Sequence, residues 1–370
     1  MNRIIKLIKH FMLHLAVNAY FSLSLDFYTG FSKKFLILYI FQGFMIIIPV
    51  IYRYLDNQGY FHTARILALT AYNWMGYQFL FFFTSLVVSI IISLLRVFSD
   101  DIGYEHIFPY SAVIAVLLMI YGFYEASQIR VNRLGVHVPS LDRDYDIVQI
   151  SDLHLSLVAS VKRIRSMYSL IDDISPDIII SSGDLVDGNL DRLEFLIDEL
   201  GGIKATIGKY AVTGNHEYYN NIDKALEYTK RAGFRLLEDE SVMIDNNIRI
   251  TGMDDNTVED RKQRDIIEED LLDHCGDENY HILVKHRPVI RDESIDRFSL
   301  QLSGHTHRGS IYPMNYIVGR VFKYDNGLYD LTENCSLFVS NGVGTWGPSF
   351  RFLAPPEITH IRLSAERYRI

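Results

Sequence analysis

Four apolar stretches in the first third of the chain, roughly residues 4–24, 35–52, 66–95 and 107–124, limit what it can fold into more than any other feature. Each is near or above the ~18 to 20 residues that a helix needs to cross the hydrocarbon core of a bilayer. Charges collect between them: Lys33 and Lys34, Arg53 with Asp56, then Arg96, Asp100, Asp101 and Glu105. Buried helices of a soluble domain are the competing reading, but four in succession with almost no interior charge favour a membrane domain. The first stretch is the weakest. Ile4, Leu7, Ile8, Phe11 and Leu15 share an apolar face from which Arg3, Lys6, Lys9 and His10 lean away, so it also fits a helix lying in the interface.

The number of spans sets the side on which the rest of the chain lies. With four spans, seven basic residues share the side of both termini against three on the other, which predicts a cell-membrane protein with a cytoplasmic C-terminal domain. With three spans the split is six to four and the domain lies outside. No acidic pair sits within the apolar stretches, which gives a transport role little support.

Composition changes after residue 128. The first part carries eight Lys or Arg and six Asp or Glu, which leaves 28 basic and 39 acidic side chains for the remainder. An acidic domain without clustered basic residues has no footprint for nucleic acid. Cys275 and Cys335 stand in unrelated contexts, so neither a disulfide framework nor a thiolate metal site is expected. The predicted organisation is a helical transmembrane domain over 1–125, a linker over 126–144 and an α/β domain over 145–370.

Within the α/β part, short β-branched runs alternate with amphipathic helical stretches such as 161–174 and 192–200. DIVQI (146–150) leads into SDLHL, DIIIS (177–181) into SGDLVD, and YAVT (210–213) into GNHEYY; IRITG, HILV and LQL follow, the last leading into SGHTHRG (303–309). This alternation predicts βα units and a mostly parallel sheet. In open sheets of that kind ligands gather beyond the carboxyl ends of the strands. Asp152, His154, Asp184, Asn215, His216, His286, His305 and His307 all stand at such ends. Five histidines, two carboxylates and an amide suit divalent Mn, Fe or Zn, and they are enough for two ions. In a two-metal site a carboxylate bridges the ions, and Asp184, preceded by a glycine, is the natural bridge. The one-residue spacings of Asp152 with His154 and of His305 with His307 turn two side chains toward one ion.

SDLHL, GDLVD, GNHE, KHRP and GHTH, in that order, resemble the calcineurin-like metallophosphoesterase superfamily. The resemblance implies a four-layer α/β sandwich. It also implies a first metal held by Asp152, His154 and His307, a second by Asn215, His286 and His305, and Asp184 between them, with manganese the expected activator in vitro. His216 is similar to the family's histidine that stabilises the transition state or protonates the leaving oxygen. The apolar N-terminus and the tail LFVSNGVGTWGPSFRFLAPPEI further resemble the family's bacterial membrane-anchored branch, which includes a pyrophosphohydrolase of UDP-diacylglucosamine. The implied activity is hydrolysis of a phosphodiester or pyrophosphate by metal-activated water, on a small-molecule or lipid-linked substrate.

Where that branch often has GHTHGGQ, this chain has GHTHRGS, which makes Arg308 a candidate phosphate contact or a solvated loop arginine. In the tail, Gly342, Gly344, Gly347 and Pro348 fit a tight turn, and Arg351 is a second candidate for a substrate phosphate. Asp187 is either part of the site or a cap for the following helix. The competing function is a membrane sensor or scaffold that binds a phosphorylated ligand without turnover.

Overall fold

The computed structural model of the chain describes residues 18–27, 36–99, 102–219, 221–255, 261–273 and 279–365. It divides into two compact units. One contains the chain up to Glu125 together with Gly347–Phe352, and the other contains Ala126–Trp346 and Leu353–Ile370.

The first unit is helical. It contains helices α1 (Leu36–Asn57) and α2 (Phe61–Leu95), joined by a short turn, and most of α3 (Ile107–Ser127). Among the described residues, three helices are long and apolar enough to cross a membrane. At 1.5 Å per residue the 35 residues of α2 extend about 52 Å, more than the ~30 Å hydrocarbon core requires. The first predicted stretch, 4–24, lies mostly outside the described residues; residues 18–27 are helical.

Three buried amides meet in this apolar setting. Trp74 Nε1 donates to Gln42 Oε1 at 2.9 Å, and Gln78 Nε2 lies 3.1 Å from the same oxygen and 3.0 Å from Asn18 Oδ1. Away from water an unpaired amide costs several kcal/mol, so mutual pairing fixes how residue 18, α1 and α2 pack. Gly347–Phe352 belongs to the same unit: Phe350 packs edge-on against Phe123 at 5.4 Å, and Arg351 N–H donates to Gly122 O at 3.2 Å.

The second unit is built on two six-stranded sheets. One has the order β1 (Arg130–His137), β12 (Glu357–Ser364), β2 (Tyr145–Ile150), β3 (Ile178–Ser181), β4 (Gly208–Ala211), β5 (Arg235–Leu236). The other has the order β10 (Gly327–Asp330), β11 (Ser336–Val339), β9 (Leu300–Ser303), β8 (Tyr280–Lys285), β7 (Ile248–Met253), β6 (Glu240–Ile244). The β2–β3–β4–β5 and β7–β8–β9–β11 runs are parallel, as the βα alternation predicts.

Side-chain alternation builds the layers. Ile147, Ile178, Ile180 and Tyr210 meet Ile250, Ile282, Val284 and Leu302 between the sheets. Val148, Ile150 and Ile179, pointing the other way, pack under α4 (Val161–Ile174), α5 (Glu194–Gly201) and α6 (Ile222–Arg231) through Met167, Ile197 and Tyr228. Beyond the second sheet, Leu283 and Met253 are covered by Leu272 of α7 (Arg261–Asp273). With period 2 and both faces covered, each sheet is an inner layer, and the result is the four-layer α/β sandwich.

The segment expected as a linker is in part structured, since β1 pairs with β12 from Arg130–Glu357 to His137–Ser364. It is an edge strand whose exposed positions carry Arg130 and Arg133, and charge on an edge hides the strand pattern in the sequence.

Replacing Gln78 with Leu removes the donor that links Asn18 to Gln42. The thermal unfolding midpoint of the detergent-solubilised chain should fall, equivalent to about 1 kcal/mol. An unchanged midpoint in a tryptophan-fluorescence melt would refute the role given to the amides.

Candidate metal centre

The loops that leave β2 and β3 run on side by side after the sheet ends. Asp152 N–H donates to Gly183 O, His154 N–H to Asp184 O, and Leu155 N–H to Leu185 O, all at 2.9 to 3.0 Å. That irregular pairing brings Asp152 and His154 beside Asp184. Gly214 and Gly304, which open GNHE and GHTH, sit where a Cβ would run into the carboxylates of Asp184 and Asp152. Only glycine allows the β4 and β9 loops to come this close.

The side chains converge in three overlapping groups, of which His154, Asp184 and His216 form the middle one. His154 Nε2 and His307 Nε2 face each other at 2.9 Å, with Asp152 Oδ1 3.4 Å from His307 and Asp184 Oδ2 3.8 Å from His154. On the other side of Asp184, His286 Nε2 is 3.1 Å from Asp184 Oδ2 and 3.1 Å from His305 Nδ1. Asp152–His154–His307 and Asp184–His286–His305 each place one ligand atom per residue within 4.8 Å of the others. His286 donates Nδ1–H to Ser182 O at 2.9 Å, which leaves its Nε2 lone pair directed at the group. The Oδ1 of buried Asn215 has no hydrogen-bond partner. Ring nitrogens facing one another, an orphan amide oxygen and buried carboxylates are an arrangement that fits divalent cations, and the N/O donor set fits Mn, Fe or Zn.

The backbone is strained at these same positions. Asp152, His154, Asp184, His305 and His307 all have φ between 47° and 74°, a region that costs such residues energy.

His216 stands at the edge of the group, half-buried. Its Nδ1–H donates to Asp187 Oδ1 at 2.7 Å, and its backbone N–H donates to Asp184 Oδ1 at 2.9 Å. Burial disfavours the imidazolium, but the Asp187 hydrogen bond and the charges of Asp187 and Asp184 outweigh it and raise the pKa to about 9. Asp187 therefore orients a histidine; it does not cap α5, whose N-cap is Leu193. Tyr219 and half-exposed Trp346 flank the His216 ring, with centroids 4.9 and 5.8 Å away.

Arg308 lies on the turn directly after His307, half-buried and with φ 50°. Arg351, the second candidate for a substrate phosphate, is fully buried and is grouped with the helical unit.

One residue escapes the sequence reading altogether. Glu217, buried, accepts hydrogen bonds at Oε1 from the N–H groups of Leu185 (2.7 Å) and Val186 (3.2 Å), and at Oε2 from those of Gly214 (2.8 Å) and Asp184 (3.2 Å). Burial and the charge of Asp184 push its pKa up against the pull of these donors. Its place as the last letter of GNHE was the available signal.

A two-sheet sandwich with Asp, His and Asn donors gathered at strand ends defines a metallophosphoesterase. Residues 145–309 match the family model described as calcineurin-like phosphoesterase. An uncharacterized metallophosphoesterase of Aquifex aeolicus is 35% identical over 257 residues, covering 68% of this chain and 98% of that one. One from Campylobacter jejuni is 30% identical over 355 residues, covering 92% and 91%. A Danio rerio protein named transmembrane protein with metallophosphoesterase domain is 28% identical over 271 residues, covering 68% and 61%. The chain belongs to the calcineurin-like metallophosphoesterase family and is a metal-dependent phosphoesterase.

Glu217→Gln turns an amide NH2 toward N–H groups that need an acceptor. It should destabilise the protein by about 2 kcal/mol and weaken Mn2+ binding; unaltered Mn2+ affinity by titration calorimetry would show that the loops hold their shape without it.

Proposed function

We propose that the chain is a membrane-anchored phosphohydrolase that holds two divalent ions and cleaves a phosphodiester or pyrophosphate bond, with a lipid-linked or UDP-sugar-lipid substrate the favoured class. The observation that carries this reading is the position of Asp184 between two sets of ligand side chains, 3.8 Å from His154 on one side and 3.1 Å from His286 on the other. Asp152, His154 and His307 would hold one ion and Asn215, His286 and His305 the other. When bound, such ions lower the pKa of water and neutralise charge on a phosphoryl group.

The remaining work falls to the chain itself. Asp187 fixes the ring of His216 through Nδ1, so that Nε2 is the nitrogen available to a leaving oxygen. As the bond from phosphorus to that oxygen breaks, the proton held at Nε2 passes to it. Trp346 and Tyr219 wall the same histidine and restrict water around it. Anchoring is supported by the three apolar helices and by the transmembrane relative. If the first apolar stretch also spans, making four, the excess of basic residues on the side of both termini favours a cytoplasmic catalytic domain.

The test is hydrolysis by the purified full chain in detergent with Mn2+, on a chromogenic phosphodiester and on UDP-diacylglucosamine. Asp184→Ala should abolish turnover of both, and His216→Ala should lower kcat by roughly 10²- to 10⁴-fold while metal binding persists. Stoichiometric metal binding without turnover of either substrate would turn the reading toward the sensor.

A further inference from the structure

Helix α8 (Met314–Val321) differs from the other helices of the catalytic unit in that none of its residues is buried. It turns Tyr316, Ile317 and Val321 outward, at 62%, 54% and 70% exposure, and Arg320 is exposed between them. Positions 316, 317, 320 and 321 fall on one side of a helix, so these side chains form a single patch. Tyr312 extends it, with its ring 5.7 Å from that of Tyr316. Apolar area left in water forgoes about 25 cal/mol per Å², which makes an outward face of this kind expensive unless something covers it.

Charge indicates what covers it. Arg308, Arg320 and Lys323 border the patch in sequence, and residues 297–324 carry no acid; Asp292 acts on Lys323 from another loop, and Asp325 has its carboxylate engaged by the Tyr329 hydroxyl at 2.9 Å. Tyrosine and aliphatic groups flanked by cations along the chain match the headgroup layer of an anionic bilayer. The same chain carries helices able to cross a membrane, so a bilayer is available. The patch is also tied to the metal loop: the Phe322 ring lies 5.2 Å from that of His305, and Thr306 Oγ1 donates to Asp325 O at 2.6 Å.

We propose that α8 is an interfacial helix that docks on an anionic phospholipid surface through Tyr312, Tyr316, Ile317 and Val321 and thereby holds the His305–His307 loop at headgroup depth. The docking is independent of turnover. Its test uses the full chain in vesicles of phosphatidylcholine and phosphatidylglycerol, with an environment-sensitive fluorophore on Ile317→Cys in a Cys275→Ser background; Cys335 is buried and unreactive. Lipids brominated near the top of the acyl chain should quench that probe and blue-shift its emission, while a probe on exposed Asp198→Cys stays unquenched. A probe at 317 that behaves like the one at 198 overturns the proposal. So does one that is unquenched in vesicles but shielded from a water-soluble quencher in native membranes, because a protein would then cover the face.

Discussion

Glu217 takes hydrogen bonds from the backbone of two different loops, the Asp184–Val186 run after β3 and Gly214 after β4. Both runs have left the sheet, so their N–H groups have no ladder to join, and buried without an acceptor each would cost about 1–3 kcal/mol. The carboxylate in turn is tolerable in the interior only because several donors surround it. Each side of this contact needs the other, which makes the loop conformation mutually determined. Asp184, the side chain between the two sets of ligands, is placed by that contact, and through its Oδ1 it holds the backbone of His216.

The sheets supply the frame on which such loops can meet. Strands β2, β3 and β4 each send apolar side chains into both layers, so a one-residue slip of register would exchange the layer between the sheets for the layer beneath the helices. The two layers hold side chains of different shapes, and the register is fixed by that difference. Parallel strands with fixed register end together, and for β2, β3, β4, β8 and β9 the carboxyl ends carry the Asp, His and Asn residues. The site is thus a consequence of strand pairing before it is a matter of chemistry.

This explains what was legible in the sequence. Runs such as DIVQI and DIIIS announce doubly buried strands, and a polar motif after each marks a strand end, so the metal group could be assembled from order alone. The edge strand β1 was hidden because arginines stand at exposed positions on both of its faces, and a half-charged strand resembles a linker. The burial of Arg351 was not legible because one residue's chemistry says nothing about burial; only the packing of Gly347–Phe352 decides it. Glu217 was passed over since a carboxylate serving backbone donors has the same letter as one serving solvent.

The strain at the site then has an energetic meaning. Five of the seven proposed ligands have left-handed backbones, and at about 1 kcal/mol or more each the total approaches the 5–15 kcal/mol by which a domain is usually stable. Such a cost is sustainable only where opposing contacts are concentrated. Here they are: the Glu217 clamp, the β2–β3 loop pairing and the closely approaching glycines all act within the same loops. Cations bound by these side chains stabilise the native state alone, since the unfolded chain offers no gathered ligand set, and so add to the same balance. The loops that do the chemistry are therefore the part of the α/β unit whose conformation owes least to the apolar core and most to polar contacts and ligand.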